Sequence, residues 1–140
     1  MRIIIIAVVA LLVSASLGYC QELSDKELGI YYGAVWETLQ AEYELGADPT
    51  EEDGQRATAR IQRFMNQNNV TENELQGIVE RGNNMTFTSA EENLAEDMDA
   101  EITDYLTSDQ MMSKLRELGD RYGMSMGQVS SVFTRKIARD

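Results

Sequence analysis

Apolar residues recur at intervals of three and four along most of the chain, which is the spacing that places side chains on one face of an α-helix. Six segments show this spacing, and their apolar positions are Leu28, Tyr31, Tyr32, Val35, Leu39 and Tyr43; Ala57, Ile61, Phe64 and Met65; Leu75, Ile78 and Val79; Leu94, Met98, Ile102, Tyr105 and Leu106; Met111, Met112, Leu115, Leu118 and Tyr122; and Val129, Val132, Phe133 and Ile137. No segment alternates for long enough to predict a strand. The pattern predicts an all-α protein, built as a compact bundle of about six short helices.

A second pattern marks where these helices begin. Ser or Thr followed three residues later by Glu or Gln forms a capping box, in which two backbone amides at the helix start are satisfied reciprocally. The pattern occurs at Ser24/Glu27, Thr71/Glu74, Ser89/Glu92, Thr107/Gln110 and Ser125/Gln128. A sixth start is predicted at Asp48, with Pro49 at the first helical position. Six starts agree with six apolar stripes.

The first 20 residues have the three-part layout of a secretory signal. Arg2 precedes the apolar run Ile3–Val13, and small and polar residues then lead to Cys20. We predict a signal peptide over residues 1–20, cleaved after Gly18 or after Cys20. An uncleaved anchor is an alternative, and so is lipid attachment at Cys20, because LGYC resembles the cleavage box of bacterial lipoproteins. Each version places the rest of the chain outside the cytoplasm, secreted or periplasmic.

Charge is distributed unevenly along a chain whose formal net charge is −12. Residues 21–110 carry 21 acidic and 5 basic side chains, whereas residues 111–140 carry 6 basic and 3 acidic ones. We therefore distinguish an acidic helical body, residues 21–110, from a basic C-terminal helical hairpin, residues 111–140, packed on the same domain. An acidic body repels nucleic acids and anionic membranes and keeps an exported protein soluble.

The stretch LGDRYGMSMGQVSSVF, residues 118–133, has the spacing of a helix-turn-helix. Apolar positions between Leu115 and Val132 face a shared core, Gly119 is the small residue near the helix crossing, and Gly123 lies in the turn. Over these residues the chain resembles DNA-binding helix-turn-helix proteins. The resemblance implies a closely packed helical hairpin at the end of the chain.

The segment LTSDQ, residues 106–110, resembles the Leu-Thr-x-x-Gln motif of the periplasmic stress-chaperone family that includes Spy and CpxP. Members of that family are small, exported and all-helical. The resemblance implies a cradle-shaped dimer that shields unfolded client proteins without ATP. The same residues also fit a helix cap with Leu106 as its hydrophobic staple, so both interpretations stay open.

Four methionines fall in the basic hairpin, where flexible thioethers would suit an adaptable apolar surface. Filling of an irregular core is the alternative use for them. We predict a partner-binding surface composed of Met111, Met112, Met124, Met126, Gln128, Arg135, Lys136 and Arg139. The predicted function is that of an exported, non-enzymatic binding protein whose partner is another protein. The more specific prediction is that it binds client proteins as a chaperone does.

Two other functions stay open at this point. One is a carrier of a small hydrophobic ligand, held in a cavity lined by Tyr31, Trp36 and Ile61. The other is a signal-anchored helix-turn-helix protein that binds nucleic acid. In that case the residues that reach the DNA would be Gln128, Ser131, Thr134 and Arg135.

Catalytic and metal-binding chemistry has little support in the sequence. The chain has no histidine, and its single cysteine lies in the signal segment. Asp97, Glu101 and Asp104 share a helix face, but the run lacks the central Gly and the terminal acid of an EF-hand loop. We predict no enzyme activity, no metal site and no cofactor, and membrane contact only through an uncleaved or lipidated N-terminus.

Two tripeptides fit the acceptor pattern for N-glycosylation, which operates on exported proteins of eukaryotes. They are NVT, beginning at Asn69, and NMT, beginning at Asn84. Such tripeptides also arise by chance in a chain with several asparagines, so the sequence leaves their use open.

Overall fold

The computed structural model describes residues 22–46 and 48–140. Its helices are α1 Asp25–Leu45, α2 Glu51–Asn68, α3 Glu72–Asn83, α4 Ser89–Glu101, α5 Ser108–Tyr122 and α6 Met126–Arg139. No strand occurs in the described residues, so the all-α prediction and the number of helices are confirmed. The predicted signal segment, residues 1–20, lies outside them. None of the six helices combines the length and the apolar character that crossing a membrane requires.

Four of the predicted helix starts are confirmed by their hydrogen bonds. In each, the Ser or Thr hydroxyl accepts the backbone N–H three residues later at 3.2 Å, and the four caps are Ser24, Thr71, Thr107 and Ser125. Two polar residues of the LTSDQ segment, Thr107 and Gln110, are used in this way. The Gln110 side chain accepts the N–H of Thr107 at 2.9 Å, so Thr107 and Gln110 form a complete capping box.

The predicted start of the second helix at Asp48 and Pro49 was wrong. Helix α2 begins after Thr50, whose hydroxyl accepts the N–H of Asp53 at 3.2 Å, while the Asp53 carboxylate accepts the N–H of Thr50 at 2.9 Å. This reciprocal pair satisfies two amides, whereas Asp48 as a cap would satisfy one. Pro49 therefore precedes the cap.

The predicted start of the fourth helix was wrong by one residue. Thr88, not Ser89, is the cap of α4, and Glu91 closes its capping box. The pairs Thr88/Glu91 and Ser89/Glu92 fit the sequence pattern equally well, so spacing alone cannot choose between them.

The end of α4 also differs from the prediction. Helix α4 stops at Glu101, and Ile102 adopts an extended conformation with φ −101° and ψ 106°. The apolar stripe therefore does not continue, and Tyr105 is 94% exposed in the connection to α5. The chain leaves the helix at Ile102, and Thr107 then adopts the extended conformation, with φ −68° and ψ 163°, that caps α5. Ile137, predicted to lie on the apolar side of α6, is 56% exposed.

The first compact unit comprises the described residues up to Met85 and contains α1, α2 and α3. Its core is the cluster of Ile30, Tyr31, Ala34, Val35, Ile78 and Val79. Tyr31 is fully buried, and its hydroxyl donates a hydrogen bond to Asn83 Oδ1 at 2.8 Å. A Cβ atom at Gly82 would lie 2.5 Å from Cε2 of the Tyr31 ring, so only glycine allows α3 to approach α1 this closely.

The second compact unit comprises residues 86–140 and contains α4, α5 and α6. Each helix contributes side chains that are almost completely buried: Leu94 and Met98, Leu115 and Leu118, Val129 and Val132. The boundary drawn from charge, after residue 110, lies inside this unit. Packing places the acidic helix α4 together with the basic helices α5 and α6.

Candidate binding surface

The C-terminal hairpin is built from α5, α6 and the short turn between them. Gly123 ends α5 in the left-handed conformation, with φ 64°. A Cβ at Gly119 would lie 3.1 Å from the Met124 carbonyl oxygen and 3.2 Å from Cγ2 of Val129. The two glycines therefore have the positions that the spacing predicts, one in the turn and one at the close approach of the helices.

Arg135, a predicted partner-binding residue, does not lie on the surface of this hairpin. It is 4% exposed, and its guanidinium forms an ion pair with Glu91 of α4. Its Nε also donates to the Ser131 hydroxyl at 3.0 Å, and its Cζ lies 4.8 Å from the centre of the Phe87 ring. Arg135 is thus a core residue. Its charge can be buried because it is paired and hydrogen-bonded.

The other predicted cations of α6 also have partners within the second unit. Lys136 forms ion pairs with Asp99 and with Asp140, the latter at 2.9 Å. Arg139 pairs with Glu92 at 3.1 Å, and its Cζ lies 4.7 Å from the centre of the Phe87 ring. The positive charge of α6 is therefore compensated within the second unit.

Helix α5 shows the same compensation. Arg121 forms ion pairs with Asp97 at 3.2 Å and with Glu101 at 2.6 Å, and Lys114 reaches Glu101 at 3.5 Å. The hydrogen bond from Arg121 lowers the pKa of Glu101, and the hydrogen bond to Asp97 raises the pKa of the Tyr122 hydroxyl. The basic surface expected from net charge is thus largely neutralised by the acidic residues of α4.

These ion pairs predict a loss of stability in acid. The pKa of Glu101 is lowered by Arg121, that of Glu27 by Arg81, and that of Asp53 by the backbone N–H of Thr50. A lowered pKa in the folded state contributes stability above the unfolded-state value, near pH 4, and that contribution is lost as pH falls through the folded value. We expect the urea midpoint of unfolding to fall as pH is lowered from about 5 to about 3.

Glu101→Gln provides the control for this prediction. The variant should be less stable at neutral pH and should lose less stability on acidification than the unmodified chain. A urea midpoint that stays constant across the acid range, or an equal loss in both proteins, would contradict the interpretation.

The four methionines form two separate pairs rather than one surface. Met111 and Met112 lie near the start of α5, whereas Met124 and Met126 lie around the turn at its other end. From Met112 to Tyr122, the last residue of α5, the helix rises about 15 Å. Met112 is 6% exposed, and the other three are partly exposed. The Gln128 side chain closes the capping box of α6, because its Oε1 accepts the N–H of Ser125 at 2.9 Å.

Helix α6 does not present the face that DNA recognition requires. Of the four residues expected to reach DNA, Ser131 and Arg135 are buried. Four successive residues, Val129 to Val132, are at most 1% exposed, so this turn of α6 is enclosed on all sides. A recognition helix must instead expose one side to the major groove.

Tyr31, expected to line a ligand cavity, is fully buried in the core cluster of the first unit. Its ring is packed against Gly82, and its hydroxyl is hydrogen-bonded. Trp36 and Ile61, the other two expected lining residues, are partly exposed. Among the described residues, no group of three or more acidic, histidine or cysteine side chains is arranged to hold a metal ion.

An open groove of about 470 Å³ runs between α1 and α2 in the first unit, and the sequence did not single it out. Its lining residues are Glu37, Glu44, Arg56, Ala59, Arg60, Arg63, Phe64 and Gln67. Arg60 joins the two helices: it donates to Glu37 at 2.5 Å, to Glu44 at 2.7 Å and to Gln40 at 2.5 Å.

Two neighbouring residues, Arg63 and Phe64, give the groove both a cation and an apolar ring. The Arg63 side chain is exposed and makes no ion pair with any described residue. Phe64 is partly buried, with its ring against Gly33 of α1. The groove, which we call the α1–α2 groove, thus combines an available guanidinium with an apolar wall.

A signal for this groove is visible in the sequence. Arg56, Arg60, Arg63 and Gln67 recur at intervals of three and four, which places them on one face of α2. The net charge of residues 21–110 is strongly negative, so it gives no indication of this basic stripe. A net charge sums the charges of a segment and does not show on which helix face they lie.

Comparisons with known proteins found no matching family model, curated protein or solved structure.

Proposed function

We propose that the chain is an exported, non-enzymatic binding protein whose partner is a protein segment that docks in the α1–α2 groove. The observation that carries the proposal is Arg63, an exposed arginine without an ion-pair partner among the described residues, next to the ring of Phe64. Arginine is enriched in protein interfaces because its planar guanidinium binds carboxylates in a bidentate manner. Apolar contact with Phe64 would add to this binding.

The mixture of charges in the groove favours a polypeptide over a polyanion. Glu37 and Glu44 lie in the groove beside Arg60, where they would repel the closely spaced phosphates of a nucleic acid. A peptide can instead place one acidic side chain against Arg63 and an apolar side chain against Phe64. The partner that fits is therefore a segment with an acidic residue next to an apolar one.

Export is supported by the layout of the first 20 residues and by the acidic composition. A protein that acts by binding outside the cytoplasm gains solubility from a net negative charge. It also needs only a locally complementary site to select its partner.

Site-specific cross-linking in the cells that produce the protein tests the proposed groove. A photoreactive amino acid at Gln67, which lines the groove, should give a covalent adduct with another protein after irradiation. Arg63→Glu in the same chain should reduce the adduct about tenfold or more, because a repulsive charge replaces the pairing group. Arg116→Glu is the matched control, since Arg116 is also exposed and has no ion pair within the described part of the chain.

The pattern of adducts separates the two versions of the function. One adduct of defined size would indicate a dedicated partner, whereas many adducts of different sizes would indicate chaperone-like binding of clients. Absence of any adduct at Gln67, or equal adducts with Arg63→Glu and Arg116→Glu, would contradict a role for the groove.

A further inference from the structure

A four-residue pattern is repeated at the ends of two helices. NNVT, residues 68–71, closes α2, and NNMT, residues 83–86, closes α3. The first asparagine of each is the last helical residue, and its side chain is used in the fold. Asn68 Nδ2 donates to the Phe64 carbonyl at 2.9 Å, and Asn83 Oδ1 accepts the Tyr31 hydroxyl at 2.8 Å.

The second asparagine of each pattern differs from the first. Asn69 and Asn84 cap their helices through backbone N–H groups, while both residues are exposed. Neither side chain makes a hydrogen bond to another described residue. The apolar residues that follow them, Val70 and Met85, pack against the core of the first unit. This anchoring holds each exposed asparagine at a turn.

The hydroxyl of the threonine that completes each pattern has a structural use in one case and none among the described residues in the other. Thr71 is the cap of α3, so its hydroxyl has a structural use. Thr86 is exposed, and its hydroxyl has no hydrogen-bond partner among the described residues. A hydroxyl two residues after an exposed asparagine is the requirement for N-glycosylation.

We propose that Asn69 and Asn84 are sites of N-linked glycosylation. The modifying substrate is an oligosaccharide joined through a diphosphate to a lipid. The asparagine amide nitrogen bonds to the anomeric carbon and loses one proton, while the bond from that carbon to phosphate oxygen breaks and the lipid diphosphate leaves. This inference rests on the export proposed above, since the reaction takes place on exported chains.

The fold accommodates a glycan at both positions. Both asparagines are exposed, and neither side chain makes a hydrogen bond within the described residues, so attachment breaks no such bond there. The 12 residues of α3 separate the two asparagines by about 18 Å, so the two sugar chains leave from opposite ends of one helix.

The test is peptide mass spectrometry on the protein isolated from the organism that produces it, with and without peptide N-glycosidase. Treatment should remove sugar mass from the peptides containing Asn69 and Asn84 and convert both residues to aspartate. Thr86→Ala should abolish the Asn84 glycan alone, and Thr86→Ser should retain it. Asn69→Asp should abolish the other glycan, because aspartate has no amide nitrogen. Aspartate also tolerates the left-handed backbone found at this position, with φ 52°, so the fold should be retained.

The same spectra give the mature N-terminus and so separate two kinds of failure. A chain that begins after residue 18 or 20, yet carries unmodified Asn69 and Asn84, overturns this inference and leaves the proposed export intact. A chain that retains residues 1–20 in the cytoplasm overturns both. A glycan at one asparagine alone overturns the assignment of the other.

Discussion

Glu91→Gln is expected to lower the free energy of unfolding by about 3–5 kcal/mol, as breaking a buried ion pair by removing one partner usually does. Arg135 is 4% exposed, so its charge would stay buried without a carboxylate to balance it. Glutamine retains the carbonyl oxygen that accepts the N–H of Thr88, so the capping box of α4 survives. The substitution therefore removes the ion pair and leaves the cap in place, so its effect on stability can be assigned to the ion pair.

The adjacent residue supplies the control. Glu92 pairs with Arg139, and both side chains are 49% exposed. Because exposed ion pairs contribute little, Glu92→Gln should cost less than about 1 kcal/mol. Urea unfolding followed by far-ultraviolet circular dichroism measures both variants. Equal small effects of the two substitutions would show that Arg135 is not a buried charge that depends on Glu91.

Gly82→Ala is expected to destabilise the first unit by about 1–3 kcal/mol, the usual cost of overpacking a core. The added methyl group would clash with the fully buried ring of Tyr31. The Tyr31 side chain cannot move aside freely, because its hydroxyl donates a hydrogen bond to Asn83. The fluorescence of Trp36, the sole tryptophan, follows the unfolding of this unit in urea.

Gly77→Ala in the same helix should have the opposite sign. Beyond its two chain neighbours and the backbone of its own helix, a Cβ at Gly77 would meet no atom within 4 Å. Alanine is preferred over glycine in a helix interior by about 0.5–1 kcal/mol, so the variant should be more stable. If Gly82→Ala were also stabilising, the close packing of α1 on α3 would be wrong.

Features that depend on neighbouring residues could be predicted from the sequence. The apolar spacing and the capping residues predicted six helices, because both act within one or two turns. Where two caps compete, as at Thr88 and Ser89, the local pattern is degenerate. Which of the two residues caps the helix then depends on packing, which cannot be predicted from local spacing.

Features that depend on distant residues could not be predicted in this way. The partner of Arg135 lies 44 positions away, so the sequence indicated an exposed cation where the fold has a buried ion pair. Net charge was misleading for the same reason, because α4 neutralises the basic helices of the hairpin. The availability of Arg63 depends on which carboxylates Arg60 already occupies.

The most direct test of export is to locate the protein in fractionated cells and to determine its N-terminal residue by mass spectrometry. We expect the protein outside the cytoplasm, with a mature chain that begins at Tyr19 or Gln21. A chain found in the cytoplasmic fraction with Arg2 still present would contradict export, and with it the proposal that this protein acts by binding a partner outside the cytoplasm.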